Sequence, residues 1–271
     1  MKKRLMAAVL STAMAATMLL TGSISVQAAD AAAANDPAVE LIFTSVSVSG
    51  DSHTEAMYEF ADKVEELSGG SVTCKCYDNG SLFSSENEFD ALLNGDADLA
   101  YISFPTIATQ IPSYSMFASG YLFSSYEHMT SVLNGDIGLN KIRPQIEETL
   151  NIKPLSSFYL GSRVINTREK EINSYDDMNG LLLRMPNSEA WLFLGEALGA
   201  NPTPLSFSEL YTALQTGAVD AQDNPLPSIE SAKFYEVTKY IAITNHVVDS
   251  IMPCICLLYT SDAADDMQWV D

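Results

Sequence analysis

Apolar positions recur along the chain at two spacings, and the switches between them divide it into strands and helices. Leu41-Ile42-Phe43 is a short apolar run of strand length. Ser52-His53-Thr54-Glu55 then has the form of a capping box, and Ala56, Met57, Phe60, Ala61, Val64 and Leu67 follow at helical spacing. Gly69-Gly70 supplies the stop, because glycine takes the left-handed backbone that ends a helix. Ser71 to Tyr77 alternates like a strand. A second box, Ser85-Glu86-Asn87-Glu88, opens a helix with Phe89, Leu92 and Leu93, which Gly95 ends before the strand Asp98-Leu99-Ala100-Tyr101-Ile102. This alternation predicts an α/β fold with mostly parallel strands.

The second half repeats the grammar. Gly180 to Arg184 reads as a strand, and Asn187-Ser188 caps a helix with Trp191, Leu192, Leu194 and Leu198 that stops at Gly199. Ser206-Phe207-Ser208-Glu209 caps another, which ends at Gly217. Asn94-Gly95-Asp96-Ala97-Asp98 and Thr216-Gly217-Ala218-Val219-Asp220 share one order: helix end, glycine cap, aspartate at a strand start. Two similar α/β lobes facing a cleft would produce it, with residues 37–158 in the first and 159–250 in the second.

Composition narrows what such a cleft can do. Lys2, Lys3 and Arg4, the apolar stretch Leu5 to Leu20 and Val26-Gln27-Ala28 have the layout of an export signal, expected over residues 1–28 and cleaved near Ala28. No later segment is apolar enough to span a bilayer, so a soluble periplasmic protein without stable membrane insertion is expected. Removing the signal takes three basic residues from the total of 14 and none of the 35 acidic ones, leaving a net charge near −24. That charge excludes nucleic acid as a partner, and it means an acidic ligand needs locally placed cations. Cys74/Cys76 and Cys254/Cys256 form two C-x-C pairs. Neighbours at i and i+2 are poorly placed to bond each other and off the usual zinc spacing, so they read as small core residues; no metal or cofactor is expected. At the other end, Leu257-Leu258-Tyr259-Thr260-Ser261-Asp262-Ala263-Ala264-Asp265-Asp266 resembles translated sequencing adapter, and residues 257–271 are expected to be non-native.

Arg184 is the first candidate for chemistry. It breaks the run Leu181-Leu182-Leu183 at the expected strand end, two residues before a helix start prepared by Pro186 and Asn187. Ligands of open α/β sheets bind beyond the carboxyl ends of strands, and a guanidinium there can hold a carboxylate with two parallel bonds. A strand-end surface arginine is the plainer alternative. Arg163, in Gly161-Ser162-Arg163, and Asn224, extended before Pro225, are weaker candidates alone.

From Tyr159 to His246 the chain closely resembles the solute receptors of tripartite ATP-independent periplasmic (TRAP) transporters of the dicarboxylate (DctP) type, including sialic-acid binders. The resemblance rests on Gly180-Leu-Leu-Leu-Arg-Met-Pro-Asn187, Gly199-Ala-Asn-Pro-Thr-Pro204, Phe207 to Gly217, Val219-Asp-Ala-Gln-Asp-Asn-Pro-Leu226 and Lys233-Phe-Tyr-Glu-Val237. It implies a bilobed, type II periplasmic-binding-protein-like fold with the cleft between its lobes and its C-terminal part missing here. It also implies a small carboxylate ligand, a membrane permease as partner and no catalysis. On that resemblance Arg184 makes the two-pronged bridge, Arg163 and Asn224 complete the carboxylate shell, and Asn187 and Phe207 line the pocket. Ser103 stands where sialic-acid receptors carry an acidic residue, and Ser45 to Ser49 lacks their asparagine. Sialic acid therefore fits less well than a C4-dicarboxylate, a sugar acid or another organic acid. The rival readings are a receptor of an ATP-driven importer, a sensor domain and a secreted hydrolase. The last has no nucleophile elbow, P-loop or metalloprotease motif to support it.

Overall fold

A computed structural model describes residues 39–258; the expected export signal and residues 259–271 lie outside them. In chain order the elements are β1 (Val39–Thr44), α1 (Ser52–Ser68), β2 (Val72–Tyr77), α2 (Glu88–Asn94), β3 (Leu99–Ile102), α3 (Phe104–Ile107), α4 (Tyr126–Leu133), α5 (Arg143–Leu150) and β4 (Ile152–Pro154). There follow β5 (Phe158–Thr167), β6 (Leu182–Met185), α6 (Glu189–Ala197), β7 (Asn201–Pro204), α7 (Phe207–Thr216), β8 (Ala221–Pro225), α8 (Leu226–Ser231) and β9 (Tyr240–Cys256).

The strands hydrogen-bond in the order β2-β1-β3-β9-β5-β8-β6-β7, with β4 also on β9. The expectation of mostly parallel strands needs correction, since the sheet is mixed. β1 lies parallel to β2 and β3, and β6 parallel to β7 and β8, whereas β9 runs antiparallel to β3, β4 and β5, and β5 antiparallel to β8. The cause is one long strand. The last residues of β9, Met252 to Ile255, pair with β3, and its earlier part, Tyr240 to Ile251, pairs with β5. Local apolar pattern carries no strand direction, so a strand serving both sheet halves was not visible in it.

Helices cover both faces, and strand alternation sorts the core accordingly. Leu99 and Tyr101 of β3 join Phe43 and Met57 under α1, whereas Ala100 and Ile102 face a cluster with Phe104, Met129 and Ile146. In the other half, Leu183 and Met185 of β6 meet Trp191 and Leu194 of α6, while Val164 of β5 meets Leu210 and Leu214 of α7. Cys254 and Cys256 are buried in the Ile102 cluster; Cys74 and Cys76 are half-buried, and all four are free.

Two expected caps differ. The N-cap of α1 is Asp51, one residue before the expected box, with its carboxylate accepting from His53 N. Helix α2 begins at Glu88 behind Asn87, because Ser85 bonds the Glu86 carboxylate instead of a helix amide. Ser206 does stand at the N-cap of α7, but its hydroxyl donates to the Glu209 carboxylate at 2.9 Å and caps no helix amide. The repeated motif forms the same joint twice. Asp98 N–H donates to Ile42 O and its carboxylate accepts from Ile42 N at 2.7 Å. Asp220 N–H donates to Leu182 O and its carboxylate accepts from Leu182 N at 3.0 Å. Each aspartate thereby zips the start of one parallel strand to its neighbour, after Gly95 or Gly217 has turned the chain through the left-handed region.

Candidate functional site

The carboxyl ends of β1, β3, β6 and β8 open into one cavity of about 390 Å³. All six expected site residues, Arg184, Arg163, Asn224, Asn187, Phe207 and Ser103, line it. They do not contribute equally.

Arg184 is the penultimate residue of β6, not its last, between core-facing Leu183 and Met185. Alternation turns its side chain to the other face, where it is 2% exposed. Its Nε donates to Leu205 O at 2.8 Å, and the Phe207 ring lies 6.0 Å from its guanidinium carbon. Among the described residues neither Nη atom has an acceptor. Burial lowers its pKa to about 10, with Asp223 opposing and Arg163 adding to the fall, so it stays a cation at neutral pH.

Arg163, 4% exposed, is already occupied. Its Nε donates to Asp249 at 2.7 Å and its Nη1 to the Asp223 carboxylate at 3.1 Å, while its face stacks on Trp191 at 4.2 Å. Burial alone would lower its pKa; the two carboxylates reverse this and raise it. Asp223 in turn meets His246 Nε2 at 3.1 Å, and since a carboxylate only accepts, that nitrogen carries the proton. Burial pushes Asp223 upward, but Arg163 and the His246 bond outweigh it and hold the acid ionised. Asn224 donates to Gln222 at 2.6 Å and Gln222 to Asn166 at 3.1 Å, an amide chain that fixes which end of Asn224 faces the arginines. Asn187 is exposed at the rim.

The first-half wall is made differently. Ser103 follows β3 and shares a hydrogen bond with Thr106 at 2.9 Å. Asp51 accepts from His53 Nδ1 at 3.0 Å and from the Ser231 hydroxyl at 3.2 Å, a contact that ties α1 to α8 beside the cavity. Glu88 is buried beside the Thr44 hydroxyl, which stands too poorly placed for a good hydrogen bond, so its Oε1 has no partner of normal geometry. Burial pushes its pKa up to about 8, with only Thr44 opposing, so its carboxyl is neutral at pH 7.

Sequence reading missed Asp223, Asp249, His246, Trp191 and Glu88. One signal was present: Asp249, with Ser250, interrupts the otherwise apolar stretch Val247 to Met252, and an acid buried in a strand needs a cation. Among the described residues no group of three or more His, Cys, Asp or Glu side chains could hold a metal. No helix among them is long and apolar enough to cross a membrane.

Residues 43–255 match the family described as bacterial extracellular solute-binding protein, family 7 (DctP). The chain belongs to this family. Among its DctP relatives, the sialic acid-binding periplasmic protein SiaP of Vibrio cholerae is 35% identical over 195 residues, which are 72% of this chain and 60% of that one. The chain thus spans about 60% of the length of that curated relative. A TRAP periplasmic solute-binding protein of Roseobacter denitrificans with bound 3-deoxy-D-manno-oct-2-ulosonic acid superposes with a TM-score of 0.77 at 39% identity, covering 83% of this chain and 74% of that one. The sugar-acid-binding protein DctPAm of Advenella mimigardefordensis, in complex with galactonate, gives 0.79 at 30% identity, covering 83% and 72%. The architecture is the type II bilobed fold of these receptors.

Proposed function

We propose that this chain is the ligand-capturing part of the extracytoplasmic receptor of a TRAP transporter, acting in the periplasm without catalysis. It binds a small organic acid and delivers it to a membrane permease. The single observation carrying the reading is Arg184: a buried cation, held by one bond, lining a cavity with two free donor groups among the described residues. A guanidinium anchored through Nε presents both Nη atoms side by side, the fork that matches a carboxylate. The ligands named for the three relatives, sialic acid, the octulosonic acid and galactonate, all carry one. In this reading residues 37–158 and 159–250 are the two lobes, Arg163 and Asn224 orient the bound carboxylate from the wall, and Phe207, Asn187 and Ser103 shape the pocket. Arg163 is already engaged by Asp223 and Asp249, and Asp223 also by His246, so this cluster braces the wall and leaves Arg184 as the cation with free donors. Water expelled on closure strengthens that contact.

The test is a thermal-shift screen of the protein against organic acids, repeated with Arg184→Ala. A ligand that binds only the folded state raises the melting point. The expected result is a shift with at least one acid that disappears in the variant, because a desolvated carboxylate left unpaired costs about 2–5 kcal/mol of binding. A folded Arg184→Ala protein that keeps the wild-type shift sinks the assignment.

A further inference from the structure

The side chains lining the cavity carry unequal charge. Among the described residues its only cations are Arg184 and Arg163, and Arg163 is already engaged by Asp249 and Asp223. Its acidic side chains are Asp51, Glu86 and Asp90 besides Asp249, and Glu88, whose carboxyl burial keeps neutral. Asp51 is already engaged by His53 Nδ1 at 3.0 Å. One arginine is therefore available to an anion, and a second carboxylate on the same ligand would meet acidic side chains with no cation to offset its desolvation.

What the cavity does offer beyond Arg184 is uncharged and hydroxyl-rich. Ser47, Ser85, Ser103, Thr106 and Gln110 line it. Glu88 lines it as well, 4% exposed, with an unpartnered Oε1. A buried polar atom without a partner costs free energy and calls for an explanation, and a hydroxyl group of a ligand in this cavity supplies one. A carboxyl held neutral by burial has both an O–H to donate and a carbonyl oxygen to accept, which matches a hydroxyl's own donor and acceptor.

We infer that the ligand is a polyhydroxylated monocarboxylate, such as an aldonate or uronate, and that Glu88 is a specificity-determining residue that hydrogen-bonds a ligand hydroxyl while Arg184 holds the single carboxylate. This rests on the receptor reading above and narrows it, excluding C4-dicarboxylates as preferred ligands. Discrimination on this basis is strong, because an analogue lacking the hydroxyl leaves the buried group unpaired.

The experiment is isothermal titration of the protein with D-gluconate, D-galacturonate and succinate, for the wild type and for Glu88→Met, Glu88→Gln and Arg184→Ala, each checked for folding by circular dichroism. At least one of the two hydroxy acids is expected to bind about 100-fold more tightly than succinate. Glu88→Met should weaken it by about tenfold or more, and Glu88→Gln, which restores a donor and an acceptor, should recover most of that loss. Succinate binding more tightly than both hydroxy acids, with that binding lost in Arg184→Ala, overturns this inference and leaves the receptor reading standing. Unchanged hydroxy-acid affinity in folded Glu88→Met also overturns it. Wild-type affinity in Arg184→Ala, or no heat with any of the three acids, overturns both.

Discussion

Replacing Glu88 with glutamine isolates the free energy stored in one buried carboxyl. Glu88 opens α2 with its side chain inside the protein, and burial moves its pKa from 4.5 to about 8. Between those two values the unfolded chain has released a proton that the folded protein still holds. Stability is then fully present below pH 4.5 and declines as pH rises toward 8, the sense expected for an acid whose folded pKa is raised. At pH 7 the difference amounts to 2.5 pH units above the unfolded value, or about 3 kcal/mol at ~1.4 kcal/mol per unit. Glutamine keeps the shape and has no proton to lose, so Glu88→Gln should stabilise the ligand-free protein by about that amount at pH 7 and by almost nothing at pH 4. Urea unfolding at half-unit steps from pH 4 to pH 8, for wild type and variant, measures the difference directly. Parallel stability curves across that range would refute the reasoning, since they would mean that Glu88 ionises alike in both states.

Further predictions follow from the rest of the site. Asp223→Asn leaves Arg163 and His246 short of a buried partner and should cost about 3–5 kcal/mol by urea unfolding. Because the Asp223 pKa is lowered, its contribution is present above pH 3.8 and fades as pH falls toward the folded value, so the variant should lose less than wild type on acidification. Gly161 sits at φ +134°, where an added methyl group would lie only 2.4 Å from Pro225 Cβ, so Gly161→Ala should destabilise by at least about 1–3 kcal/mol; a neutral result would mean β5 and β8 can separate there. Ser231→Ala removes the 3.2 Å bond to Asp51 and should speed ligand release by about 2- to 12-fold in stopped-flow measurements. An unchanged release rate would show that the bond does not belong to the ligand-bound form.

Local pattern determined a good deal of this protein. Glycines at 69, 95 and 217 ended helices where expected, because the left-handed cap is a property of one residue and its nearest neighbours. The motif around Asp98 and Asp220 announced a repeated unit, and the two joints share their bonding. Arg184 stood out because a charge in an apolar strand has few structural uses. Arg163 and Asn224 were legible as cavity residues through family likeness, yet their bonding was not: Asp249 lies 86 positions from Arg163 and Asp223 lies 60. Strand direction was likewise hidden, since β9 looks the same read either way until its partners are known. Glu88 is the clearest case. In sequence it is one more acid in an acidic chain, part of an expected capping box. Only the fold removes it from water and leaves it without a counter-charge, and both its protonation and its place in the cavity follow from that burial. Short-range chemistry is written in neighbouring residues; the charge state and pairing of a buried group depend on what distant segments bring beside it.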